Sequence, residues 1–122
     1  MPEAMPRLVV LLLAVVLAGC GEATATYHTS VMRLDVGEYV ITPESVQMEA
    51  GTVEIRATND GVLVHEIAVA NGDGKILGQT GAIFPGQTVT TAPFTLAPGS
   101  YRVYDPGANY ADLGAYGSLR VS

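Results

Sequence analysis

From residue 31 onward, apolar and polar residues alternate with a period of two. Met32, Leu34 and Val36 fall on one side of residues 31–36, with Arg33 and Asp35 on the other. Val53, Ile55 and Ala57 alternate with Glu54 and Arg56 across residues 52–58. Successive side chains of a strand point to opposite faces, so this is the signature of strands with one buried face. No window carries the sustained i, i+3, i+4 apolar spacing of a helix. Turn formers separate the alternating runs: Ala50-Gly51, Asn59-Asp60-Gly61, Asn71-Gly72-Asp73-Gly74 and Pro98-Gly99. The pattern predicts strands at 31–36, 39–42, 45–49, 52–58, 63–69, 87–91, 94–96, 100–104 and 118–121. Pro43 must lie at an edge or a break, because it cannot donate to a ladder. Residues 75–85 are undecided between helix and loop. Many short strands with frequent turn signals predict an all-β sandwich or barrel.

The front of the chain follows another pattern. Arg7 precedes a run of about a dozen apolar residues, 8–19, and then Cys20. A basic start, a short apolar run and a small-residue cleavage site describe a secretory signal. The run is shorter than the roughly 20 residues that span a bilayer. Leu17-Ala18-Gly19-Cys20 resembles the bacterial lipobox, which implies lipid attachment at Cys20 and loss of residues 1–19. Glu3 is out of place in a basic start, and Met5 makes the cleaner initiator. Cys20 is the single cysteine of the chain, so no disulfide can form within one molecule.

Removing 19 of the 122 residues leaves 103, the size of one domain. Residues 20–30 are small and polar and are expected to form a lipidated tether, with residues 31–122 as the folded domain. The net charge is −6. No basic patch exists, which argues against nucleic acid as a partner. The acidity also argues against electrostatic docking on anionic lipid, so the anchor must hold the protein at a membrane. The expected location is the cell membrane or outer membrane, facing the periplasm or the outside of the cell.

The carboxyl-terminal stretch 101–121 resembles the copper-binding end of the cupredoxins, the blue-copper protein family. The frame is Pro98-Gly99 before the strand, Pro106-Gly107 in the loop, Gly114 and Gly117 around the turn, then Leu119 and Val121. The run 46–61, entering through Ala50-Gly51 and ending in Asn59-Asp60-Gly61, resembles the family's approach to its first copper histidine, here His65. The resemblance covers residues 34–121 and implies a Greek-key β-sandwich. It also implies that the ligand positions have changed: the family's Cys falls on Asp105, its second His on Tyr110 and its Met on Ala115. A blue-copper site depends on a thiolate, which Asp105 cannot supply.

His65 shares a strand face with Ile67 and Val69, and Asp105 shares one with Tyr101 and Val103. On the cupredoxin fold His65 and Asp105 become neighbours, with Tyr110 and Ala115 above them. Three outcomes are open. Asp105 accepts a hydrogen bond from His65 or the Tyr110 hydroxyl in a packed polar plug; or His65, Asp105 and Tyr110 form a weak nitrogen–oxygen site for copper or zinc; or the resemblance misleads and His65 is an ordinary histidine. Met32 and Met48 fit core positions. Tyr104 and Tyr116 are expected to face outward, and Tyr101 inward. Enzyme signatures are absent: there is no phosphate loop around Gly72 and Gly74, and no Gly-x-Ser-x-Gly elbow. The expected function is a non-catalytic binding or accessory module that has lost type 1 copper, with an envelope protein as partner. The alternative is metal binding or electron transfer through His65, Asp105 and Tyr110.

Overall fold

The computed structural model describes residues 24–122. The expected signal peptide, the Met5 start and the lipid site Cys20 lie outside the described residues. Eleven strands make up the described chain: β1 (Thr24–Tyr27), β2 (Val31–Gly37), β3 (Val40–Thr42), β4 (Ser45–Met48), β5 (Gly51–Asn59), β6 (Ala68–Ala70), β7 (Ile76–Gln79), β8 (Thr88–Thr90), β9 (Phe94–Leu96), β10 (Gly99–Tyr104) and β11 (Tyr116–Val121). They form two mixed sheets. One runs β1-β4-β11-β10-β6-β7 and the other β3-β2-β5-β8, with β9 also on β5.

The alternating runs supply the two inner faces. Met32, Leu34 and Val36 of β2 and Val53, Ile55 and Ala57 of β5 are buried against Val46, Met48, Val69, Val103, Leu119 and Val121 of the opposite sheet. Each buried side chain of this size contributes roughly 1.5–3 kcal/mol of transfer free energy, so the sandwich closes without cross-links. Both methionines are core residues, as their alternation requires. β8 and β9 occupy the same edge of β5 in succession. Thr91 spans the gap between them: its N–H donates to the Ile55 carbonyl (2.8 Å) and its hydroxyl oxygen accepts from the Ile55 N–H (3.0 Å).

Two expectations change, and one segment left open takes a definite form. Thr24–Tyr27 pairs in parallel with Ser45–Met48, so this part of the expected 20–30 tether is a sheet strand. Residues 63–69 are not one buried strand: Leu63 and Val64 are exposed, His65 makes an isolated bridge with Ile83, and the strand begins at Ala68. Here apolar character follows the surface, and the backbone is held by side chains at Leu63 and by single backbone bridges at His65 and Ile67 instead of a continuous ladder. Residues 75–85 form β7 and an irregular return, with no helix. Pro43 follows a cis peptide bond between β3 and β4, at the break expected for it.

Candidate functional site

His65 reaches the interior because of its backbone. Its N–H donates to the Ile83 carbonyl (3.0 Å) and its carbonyl accepts from Ile83 N–H (2.7 Å), which turns the ring inward to 1 % exposure. Asp105 follows directly on β10, in phase with the buried Val103, and is also 1 % exposed. β10 lies beside β6 with Tyr104 opposite Ala68 and Val103 opposite Val69. That register brings the Asp105 carboxylate to the ring: Oδ2 lies 2.7 Å from His65 Nδ1. The other oxygen, Oδ1, accepts the Gly107 N–H at 2.8 Å.

The second ring nitrogen is also engaged. Nε2 lies 3.0 Å from Oε1 of Glu38, a residue of the two-residue turn between β2 and β3. The same oxygen accepts the N–H groups of Val62 (2.8 Å) and Leu63 (2.9 Å). These donors hold the Glu38 carboxyl well below the usual range, at about 2, with the Leu63 N–H the largest cause and the His65 ring the next. Ionised carboxylates only accept, so both ring contacts are hydrogen bonds when each nitrogen carries a hydrogen, as in the imidazolium form. Every buried side-chain nitrogen and oxygen among the described residues has a partner, as buried polar groups require.

The parallel pairing of β2 with β5 sets Val36 opposite Asn59, so the two strands end side by side. Glu38 therefore projects onto the chain leaving β5. It comes so close that a Cβ on Gly61 would collide with its carboxylate. Buried Asn59 completes the support, with Nδ2 donating to the carbonyls of Leu63 (2.7 Å) and Ile83 (2.8 Å) and Oδ1 accepting the Gly61 N–H (2.8 Å). Tyr39 adopts left-handed backbone geometry at φ 63°, sparsely populated for a residue with a side chain. A Cβ on Gly114 would lie 2.7 Å from its carbonyl oxygen. Tyr110 meets the His65 ring edge-on at 4.9 Å between centroids, and the Tyr39 ring lies 6.2 Å from the Tyr110 ring.

The structure thus brings together His65, Asp105 and Tyr110, with Tyr110 contributing its ring and the hydroxyl contact to Asp105 not formed. Ala115 is fully buried and carries no donor atom. Glu38 was missed by sequence reasoning. Tyr116 faces outward as expected, and Arg102 lies over the Tyr104 and Tyr116 rings at 4.7 Å and 5.8 Å. Tyr101 packs against the core and donates its hydroxyl to the Ala97 carbonyl.

These groups do not fit a type 1 copper centre. No cysteine occurs among the described residues, and both nitrogens of the His65 imidazole already face carboxylates. Glu38 and Asp105 contact different ring nitrogens, so they do not converge on a shared point. No group of three or more His, Cys, Asp or Glu able to hold a metal occurs among the described residues. A surface hollow of about 250 Å³ adjoins the cluster at Tyr39 and Gly114, and two others lie elsewhere. One of about 360 Å³ is bounded by Tyr27, Arg33, Asp35 and Arg56, and one of about 420 Å³ by Asn71, Arg102 and Tyr116. Neither is lined by His65, Glu38 or Asp105.

The two-sheet arrangement is the cupredoxin fold. Auracyanin from Roseiflexus castenholzii superposes with a TM-score of 0.70 at 18% identity, covering 79% of this chain and 99% of its own. Auracyanin A from Chloroflexus aurantiacus, described as a "blue" copper protein, gives 0.63 at 19% identity over 82% of this chain and 100% of its own. Rusticyanin from Thiobacillus ferrooxidans gives 0.61 at 15% identity over 81% and 82%. At 15–19% identity the likeness establishes the fold. No family model matches the chain, and no curated protein does either.

Proposed function

We propose that the protein is a lipid-anchored envelope protein whose domain serves as a non-catalytic binding or accessory module on a cupredoxin scaffold. The carrying observation is that Asp105 and Glu38 take both nitrogens of His65, where a blue-copper protein needs an open imidazole and a thiolate. The anchor is Cys20 within Leu17-Ala18-Gly19-Cys20, with the domain at the cell or outer membrane and facing the periplasm or the exterior. The exposed apolar residues Val62, Leu63, Val64 and Phe84 beside His65 support a contact role for this end of the domain.

A second reading, weak copper or zinc binding through His65 with Asp105 and Tyr110, is favoured by the description of auracyanin A as a blue copper protein. One experiment separates the two: titration of the purified protein with Cu(II), Cu(I) and Zn(II) beside a His65→Ala control. The expected result is no saturable binding beyond the control and no intense visible band with Cu(II). Stoichiometric binding that disappears in the control would overturn the metal-free reading and make Asp105 and Tyr110 the next ligands to substitute.

A further inference from the structure

The strands of the larger sheet are free of acids. No residue of β1, β4, β6, β7, β10 or β11 is an aspartate or glutamate, and two, Arg102 and Arg120, are arginines. The chain carries a net charge of −6, and the acids of the described residues lie in the other sheet and in the loops. Charge is thus unevenly placed, with one sheet face open to an acidic partner. On that face Ser45, Ser118 and Arg102 form one row, and Tyr116 and Tyr104 form the next.

Arg102 is the organised member of this face. Its guanidinium carbon lies 4.7 Å from the centroid of the Tyr104 ring and 5.8 Å from that of Tyr116. The two tyrosines stand directly opposite one another on β10 and β11, so the guanidinium rests across both rings. Ring faces attract cations, and a long side chain held in this way loses less freedom when a ligand engages it. No carboxylate takes it: the ion pairs between described residues are both made by His65, and Arg102 is exposed. A guanidinium offers a planar fork of N–H donors that matches a carboxylate bidentately.

A hollow of about 420 Å³ lies beside it, bounded also by Asn71, Ser100, Tyr116 and Ser118. The Asn71 Oδ1 already accepts the N–H groups of Asp73 and Lys75, both at 3.0 Å, so the hydrogens on Nδ2 are what its amide has left to offer. The Ser100 hydroxyl is a further donor. Tyrosine, arginine, serine and asparagine in one concave patch are the composition of surfaces that bind proteins. A sugar ring fits less well, because it stacks on a free aromatic face, and Arg102 already occupies a face of each tyrosine.

We propose that Arg102, with Asn71 and Ser100, anchors a site for a carboxylate side chain of an acidic peptide segment on a protein partner, docked on the outer face of the larger sheet. This rests on the reading of the domain as a binding module, and adds the face and the chemistry that the module uses.

The test selects phage-displayed random peptides on the purified full-length protein. The expected result is enrichment of peptides that contain aspartate or glutamate. The affinity of the best of them should fall at least about tenfold, the scale of a charged hydrogen-bonded contact, on Arg102→Gln in the protein or on exchange of the acid for its amide in the peptide. Arg102→Lys keeps the charge without the fork and should recover only part of the loss. Arg120→Gln removes the same charge from the same face, opposite Ser100, and should leave the affinity within about threefold, as a screened surface charge does. NMR shifts in the parent protein, expected at Arg102, Asn71 and Ser118, locate the peptide without any substitution. Enrichment of peptides without acids, no enrichment at all, equal losses at Arg102 and Arg120, or a hollow that takes an oligogalacturonate and no peptide would each overturn the site and leave the module reading standing. Saturable copper or zinc binding that needs His65, in the titration above, overturns the module reading instead.

Discussion

Strand β5 and the segment that follows it, residues 60–67, are held by different means. β5 has backbone neighbours on both sides: β2 along six registered pairs, and β8 and β9 on the other edge. Its ladder bonds are many and equivalent, and its inward side chains pack in the core. The following segment has no strand ladder: its backbone bonds are the His65 bridge, the Asp60 N–H to the Val36 carbonyl and the Thr80 N–H to the Ile67 carbonyl, and residues 61–63 are held by the side chains of Asn59 and Glu38. A strand ladder spreads its stability over many contacts. A tip whose residues 61–63 are held by two side chains depends on each of them, and in return presents apolar residues outward that a regular strand would turn inward. The scaffold is thus insensitive to hydrogen-bond changes and sensitive to volume, and the His65 end is the reverse.

The sharpest way to break that contrast begins in the ladder. Ile55 is fully buried in β5, and Ile55→Ala is expected to lower stability by about 2–5 kcal/mol through lost transfer energy and the cavity left behind. Denaturant unfolding measures it. The whole domain should shift together, with no separate loss at residues 61–65. A loss below about 1 kcal/mol, the scale of a tolerated repacking, would mean that β5 does not organise the core as argued.

Asp105→Ala comes next. It leaves His65 Nδ1 without its partner in a buried site and removes the acceptor of the part-buried Gly107 N–H, and a buried group left unsatisfied costs on the order of 1–3 kcal/mol. The midpoint should fall, and amide exchange should accelerate first at Gly107 and around His65, ahead of β5. An unchanged midpoint would show that the cluster adds nothing to the fold and that the contrast between the two regions is false.

The legibility of the two regions in the sequence follows the same division. β2 and β5 are readable because one face of each is buried against a single core, so burial leaves a period of two. The pairing of His65 with Asp105 was approachable because each shares a strand face with buried neighbours and the cupredoxin resemblance sets those strands side by side. Glu38 was not. It lies 27 residues from His65, in a turn with no periodicity, and its role depends on β2 and β5 ending together, a matter of parallel register. The one available hint was Gly61, where a Cβ would press on the Glu38 carboxylate and force it to shift. Leu63 and Val64 misled for a physical reason: apolar type reports burial in a packed core, and at an exposed tip it does not. β1 was missed because small polar residues at a sheet edge look the same as a tether.

The smallest expected effect refines the comparison through pH. The Glu38 carboxyl is held at about 2, below its ordinary value of 4.5, chiefly by the Leu63 N–H and next by the His65 ring. A depressed carboxyl stabilises the folded state above its unfolded value and loses that contribution as pH falls through the folded one. The window is therefore from about pH 4.5 down to about 2. Glu38→Gln keeps an oxygen acceptor for Val62 and Leu63 but removes the charge facing His65. The variant is expected to be less stable than the parent at pH 5 to 7, with the difference shrinking as the pH falls from about 4.5 towards 2. Other carboxyls titrate in both proteins, so the difference between their stability curves isolates this one. A difference that is constant with pH would assign the effect to lost geometry at the turn, leaving the loop held by shape alone and the Glu38 charge without a part in it.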